Sequence, residues 1–234
     1  GALDMALAPG LLPGRTPLAA PTDALAAAWP SVPTTAGPAT EAMLRAAAAG
    51  RLDVLVLLGA DPLQDAPDRD LARRALEGAG TVIALDLFLT ASVSAADVVL
   101  PAAGYAEVEG TTTNLEGRVS TVTQRVTAPG TARADWIIAA DLAARLGADL
   151  GVASVGDLLA EIEAVAPTHA GLGARLVAAG GDGVLVEGTS VTPDAVDGPG
   201  LPAADSYSLR LASGRTMYDQ ATMVQQAPTI AKLA

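Results

Sequence analysis

The chain has 234 residues, which at about 150 residues per domain corresponds to one domain and part of another. Its 26 acidic and 14 basic residues give a net charge of -12, and the lack of any lysine- and arginine-rich stretch argues against nucleic-acid binding. The absence of cysteine excludes disulfides, iron–sulfur ligands, thiolate zinc sites and cysteine nucleophiles within this segment.

The first region, residues 1–40, is rich in proline and glycine. Such a composition fixes many φ angles and removes backbone donors, so we expect an ordered segment that wraps a surface around a short helix near residues 24–29. The longest apolar run in the chain has only six residues, at 24–29. A membrane-spanning helix needs about 20 apolar residues, so we expect a soluble segment. The chain begins at Gly1 without methionine and stops at Ala234 soon after a predicted strand. We therefore also expect a segment that is truncated at both ends.

Residues 41–150 alternate between helical patterns and short aliphatic runs. Helices are predicted at residues 40–49, 65–78 and 91–96, and strands at 52–58, 81–85 and 97–100. Strands of this kind, separated by helical spacers, predict an α/β fold: a partial parallel, Rossmann-like sheet with right-handed crossovers and helices on both faces. Ligands of such sheets bind beyond the C-terminal ends of the strands. Here the segments beyond those ends begin at Gly59, Asp86 and Pro101.

The rest of this region differs in amino-acid composition. Residues 107–118 are predicted to form a polar loop, and residues 119–127, rich in valine and threonine, to form an extended segment or hairpin. A helix follows, with Asp135 as its N-cap, Gly147 as its stop, and one apolar face. That face is predicted to consist of Ile138, Leu142 and Leu146.

Residues 151–205 are predicted to be a helical extension and linker. Ser154 is expected to cap a helix whose buried stripe contains Leu158, Ile162 and Val165, and the single histidine, His169, lies in a polar turn where we expect a structural role at the surface. Residues 206–234 are predicted to begin a truncated, dinucleotide-binding-like β domain, because residues 207–211 alternate between polar and apolar as in a strand. The predicted fold thus ends with the start of a β-rich C-terminal domain.

The most specific motif occupies residues 107–118, E-V-E-G-T-T-T-N-L-E-G-R. It resembles the E-x-x-G-T-x-x-N-x-E-G-R signature of the molybdopterin oxidoreductase superfamily. Further matches follow the order expected for that family, at residues 57–62, 86–90, 96–102, 135–136, 146–147 and 213–218. In working members the resemblance implies loops that hold two pterin nucleotides. The candidate contacts are Gly59, Asp61, Asp86, Thr90, Asn114 and Arg215.

Each of these residues also has a purely structural interpretation, because glycine permits turns and aspartate or asparagine caps loops. Within the superfamily, residues 1–15 and 213–219 resemble the large iron–sulfur (G) subunits of bacterial NADH-quinone oxidoreductase, respiratory complex I. That resemblance implies a scaffold fragment without catalytic residues, metal ligands or a redox centre of its own.

The same resemblance implies iron–sulfur clusters in an N-terminal region absent from this chain. The expected partners are that region and other peripheral-arm subunits of the translocase, and the expected location is cytoplasmic, peripheral to the inner face of the bacterial plasma membrane. One alternative is a fragment of a catalytic enzyme, similar to formate dehydrogenase or nitrate reductase, that binds a molybdopterin guanine dinucleotide. Another is a stand-alone nucleotide-binding domain, although no G-x-G-x-x-G lies between a strand and a helix.

Overall fold

Short strands and helices alternate along the chain, and the computed structural model describes residues 1–29, 31–187 and 222–229. The strands are β1 (Leu11–Leu12), β2 (Thr16–Pro17), β3 (Val54–Leu58), β4 (Thr81–Asp86), β5 (Val98–Pro101), β6 (Gly110–Thr113), β7 (Arg118–Val122) and β8 (Val184–Leu185). The helices are α1 (Asp23–Ala28), α2 (Thr40–Ala48), α3 (Pro62–Asp65), α4 (Arg69–Gly78), α5 (Ala91–Ser94), α6 (Asp135–Arg145), α7 (Val155–Val165), α8 (Leu172–Ala179) and α9 (Thr222–Gln225). No helix of the described residues is both long and apolar enough to cross a membrane.

The chain divides into two units, Gly1–Val191 and Thr192–Ala234. All elements from β1 to β8 belong to the first unit, and α9 belongs to the second. The strand predicted at residues 207–211, the motif at 213–218 and the candidate residue Arg215 lie outside the described residues.

The parallel sheet confirms the predicted α/β class. Its strand order is β3-β4-β5, with Leu57 opposite Ala84 and Ala84 opposite Val99. Helices α2 and α4 cover one face, because both carry apolar residues on a single stripe. The resulting core consists of Leu44, Ala47, Leu55, Leu57, Leu71, Ala75, Leu76, Val82, Ala84 and Val93.

The prediction of helices on both faces is wrong for the residues described. On the face opposite α2 and α4, Val54, Val56 and Leu58 remain 51%, 56% and 51% exposed. The reason is topological: β3, β4 and β5 follow one another in a single direction, and right-handed crossovers that proceed in one direction all lie on the same face. The second face receives helices only where the strand order reverses.

A second sheet, antiparallel and ordered β6-β7-β8, follows the first in the chain. The loop predicted at residues 107–118 is therefore only partly a loop, because the threonine-rich Gly110–Thr113 pairs with β7. The linker predicted at the end of residues 151–205 is also interrupted, by β8. A short apolar run of residues 184–186 packs here with Val119, Leu172 and Leu176, and this burial outweighs the surrounding glycines.

Helices α6 and α7 follow the predicted caps and apolar faces only in part. The hydroxyl of Ser154 accepts from the Asp157 amide at 3.1 Å and caps α7, as predicted. In α6 the N-cap is Ala134 instead of Asp135. Of the three residues predicted for its apolar face, Ile138 is buried whereas Leu142 and Leu146 are 37% and 85% exposed.

The first forty residues wrap onto this extension. Leu12 and Leu25 form a small core with Val165 of α7, and the buried Asp4 carboxylate accepts from Arg15 Nε at 2.7 Å. His169 is 3% exposed, so its predicted surface position is wrong. Its polar sequence neighbours gave no sign that the 3₁₀ turn Pro167–His169 packs inward.

Candidate functional site

The C-terminal edge of the parallel sheet brings together loops that are distant in sequence. Leu58 lies opposite Leu85, and Asp86 lies opposite Pro101, so the three strands end at one level. The Gly59 amide donates to the Leu85 carbonyl at 2.8 Å and continues the ladder beyond β3. Four candidate residues, Gly59, Asp61, Asp86 and Thr90, therefore belong to loops that leave this edge.

Gly59 begins the loop after β3 with a backbone conformation that favours glycine. Its φ angle is +55°, in the left-handed region. A Cβ atom built on Gly59 meets no other heavy atom within 4 Å. The backbone here consequently borders open space, into which a ligand can approach without displacing protein atoms.

Asp61 is held by a residue that the sequence did not single out. Ser92 on α5 is fully buried, and its hydroxyl donates to Asp61 Oδ1 at 2.5 Å. The same Ser92 hydroxyl accepts from the Leu63 amide at 3.0 Å. Ser92 therefore fixes the start of α3 onto α5 and orients the Asp61 carboxylate. No sequence signal marks this pair, because serine is common in short helices and the partners are 31 residues apart.

Asp86 and Thr90 shape the loop after β4. Asp86 Oδ1 accepts from the amides of Leu87 at 2.6 Å and Phe88 at 3.2 Å, which forms a local turn. Thr90 is buried, and its hydroxyl accepts from the Val93 amide at 3.3 Å to cap α5. The second carboxylate oxygen of Asp86 makes no hydrogen bond within the described residues, so it remains an available acceptor.

A further carboxylate, that of Asp135, reaches the same edge. Residue 133 runs beside the end of β5, with the Arg133 amide donating to the Pro101 carbonyl at 3.2 Å. Burial raises the pKa of Asp135 above its usual value, and the negative charge of Asp86 raises it further. The sequence indicates only a capping role for Asp135, so its proximity to Asp86 is a feature that the structure alone reveals.

Asn114 lies in the turn between β6 and β7 instead of at a strand end of the parallel sheet. Its Oδ1 accepts from the Glu116 and Arg118 amides, both at 2.9 Å. Glu107, earlier in the same motif, accepts from the Gly104 amide at 2.8 Å. Within the described residues, these two polar side chains of the motif hold the backbone of their own loops.

The edge is thus a set of acceptors beside open space. Asp86 and Asp135 supply carboxylate oxygens, and Gly59 leaves room for a group that donates hydrogen bonds, such as a ribose hydroxyl or a guanine ring. Among the described residues, no group of three or more histidine, aspartate or glutamate side chains is arranged to hold a metal ion. Chemically, this edge can accept hydrogen bonds from a donor group of a ligand.

Comparison with known proteins places this edge in a family context. Residues 16–145, more than half of the chain, match the family profile described as molybdopterin oxidoreductase. Over 121 residues the chain is 46% identical to the second G-type subunit of NADH-quinone oxidoreductase from Rhizobium meliloti (strain 1021), covering 50% of this chain and 14% of that protein. It is 41% identical over 123 residues to the G-type subunit of NADH-quinone oxidoreductase from Streptomyces coelicolor, with 51% and 14% covered.

A formate dehydrogenase is also similar. The chain is 34% identical over 175 residues to the alpha subunit of the F420-dependent formate dehydrogenase 1 of Methanococcus maripaludis, with 74% of this chain and 26% of that protein covered. The chain therefore spans between 14% and 26% of the length of these relatives.

Proposed function

The chain belongs to the molybdopterin oxidoreductase family, and we propose that it is a structural part of the large G-type subunit of an NADH-quinone oxidoreductase, respiratory complex I. In this role the α/β region supports electron transfer from NADH to quinone and holds no redox centre itself. The iron–sulfur clusters belong to an N-terminal region of the same subunit. The assembly lies on the cytoplasmic side, against the inner face of the bacterial plasma membrane.

The hydrogen bonding at the candidate site is the observation that supports this proposal. Asp61, Asp86, Thr90 and Asn114 each accept from groups of this chain, at distances of 2.5–3.3 Å. The loops that carry these four residues therefore keep their shape through internal bonds, without requiring a bound nucleotide. Such self-supporting loops suit a rigid scaffold on which neighbouring subunits dock.

Elemental analysis of the intact gene product tests the proposal. We expect iron to be present and molybdenum and tungsten to be absent from protein purified from cells grown with both metals. Co-purification with the other peripheral-arm subunits is the second expected result. Stoichiometric molybdenum or tungsten would overturn the scaffold role.

A second candidate function is favoured by the open space beside Gly59 and the free oxygen of Asp86. In this alternative the fragment belongs to a catalytic molybdopterin-dependent oxidoreductase, similar to formate dehydrogenase or nitrate reductase. Gly59, Asp61, Asp86, Thr90 and Asn114 would then hold the guanine dinucleotide through backbone approach and hydrogen bonds, as would Arg215. The bound group would supply the oxidation–reduction chemistry, and this chain would orient it.

Guanosine diphosphate serves as a probe that separates the two functions. Titration calorimetry with this chain is expected to detect no binding if the region is only a scaffold. Under the alternative, binding appears and weakens in Asp86→Asn, whereas Glu77→Gln, an exposed change on α4, leaves it unaltered. Binding that both variants leave unchanged would place the nucleotide away from this edge and contradict the alternative.

A further inference from the structure

We draw no further inference here: the strongest candidate, the cavity of about 310 Å³ between β6, α7 and the buried His169, is also lined by Gly1 and Met5, and nothing in the structure shows what covers it.

Discussion

Replacing Ser92 with alanine tests the link between the two loops of the candidate site. The hydroxyl of this fully buried residue donates to Asp61 and accepts from the Leu63 amide. Alanine is nearly isosteric with serine, so Ser92→Ala removes both bonds without creating a large cavity. The loop after β3 then loses its attachment to α5.

The expected destabilisation follows from these two bonds. A hydrogen bond to a charged group contributes about 1.5–3 kcal/mol, and an amide left without an acceptor costs about 1–3 kcal/mol. The two contributions share one hydroxyl and are not additive, so we expect a loss of about 3 kcal/mol in the free energy of unfolding. For a domain of this size that corresponds to roughly 6–12 °C in Tm.

Urea denaturation of Ser92→Ala and Ser94→Ala provides the measurement and its control. Ser94 lies on the same helix but is exposed, so its replacement should change stability by less than about 0.5 kcal/mol. A double-mutant cycle with Asp61→Ala should give a coupling energy of about 1 kcal/mol or more. Equal stability of the two serine variants would refute the argument that Ser92 anchors the loop.

Three other measurements test charged groups. Burial lowers the pKa of His169 below 6.5, so stability is retained above that pH and lost as pH falls below it; His169→Gln should flatten the pH dependence of the urea midpoint between about pH 7 and 5, and an unchanged slope would contradict this. Asp97→Ala removes the acceptor of the Val82 amide at 2.7 Å and should cost about 1–3 kcal/mol in urea denaturation, with Asp97→Asn losing less; equal losses would show that the bond is unimportant. Asp86→Asn should lower the pKa of Asp135 in carboxyl NMR titration, and an unchanged value would disprove the proximity of the two carboxylates.

Much of the parallel sheet could be predicted because its signals are local. The aliphatic runs that form β3, β4 and β5 are bounded by glycine, proline or aspartate, which end strands. The short strands β6 and β8 were missed for the opposite reason. One is built from threonine and the other lies among glycines, so burial in the second sheet decides their conformation instead of propensity.

The location of the candidate site could also be predicted, but not the partners of its side chains. Parallel strands end at one edge, so Gly59, Asp86 and Thr90 had to come from neighbouring loops. The Asp86 turn involves adjacent amides and is a local pattern. The bond from Ser92 to Asp61 depends on how α5 packs beside α3, which is a tertiary contact that no spacing in the sequence encodes.

The exposed face of the parallel sheet is the place where the sequence pattern and the described structure disagree. A strand with one face in water normally alternates apolar and polar residues, whereas an unbroken apolar run is typical of burial on both faces. In β3 the run is unbroken, yet Val54, Val56 and Leu58 are exposed. The residues are therefore suited to an environment that the described part of the chain does not supply.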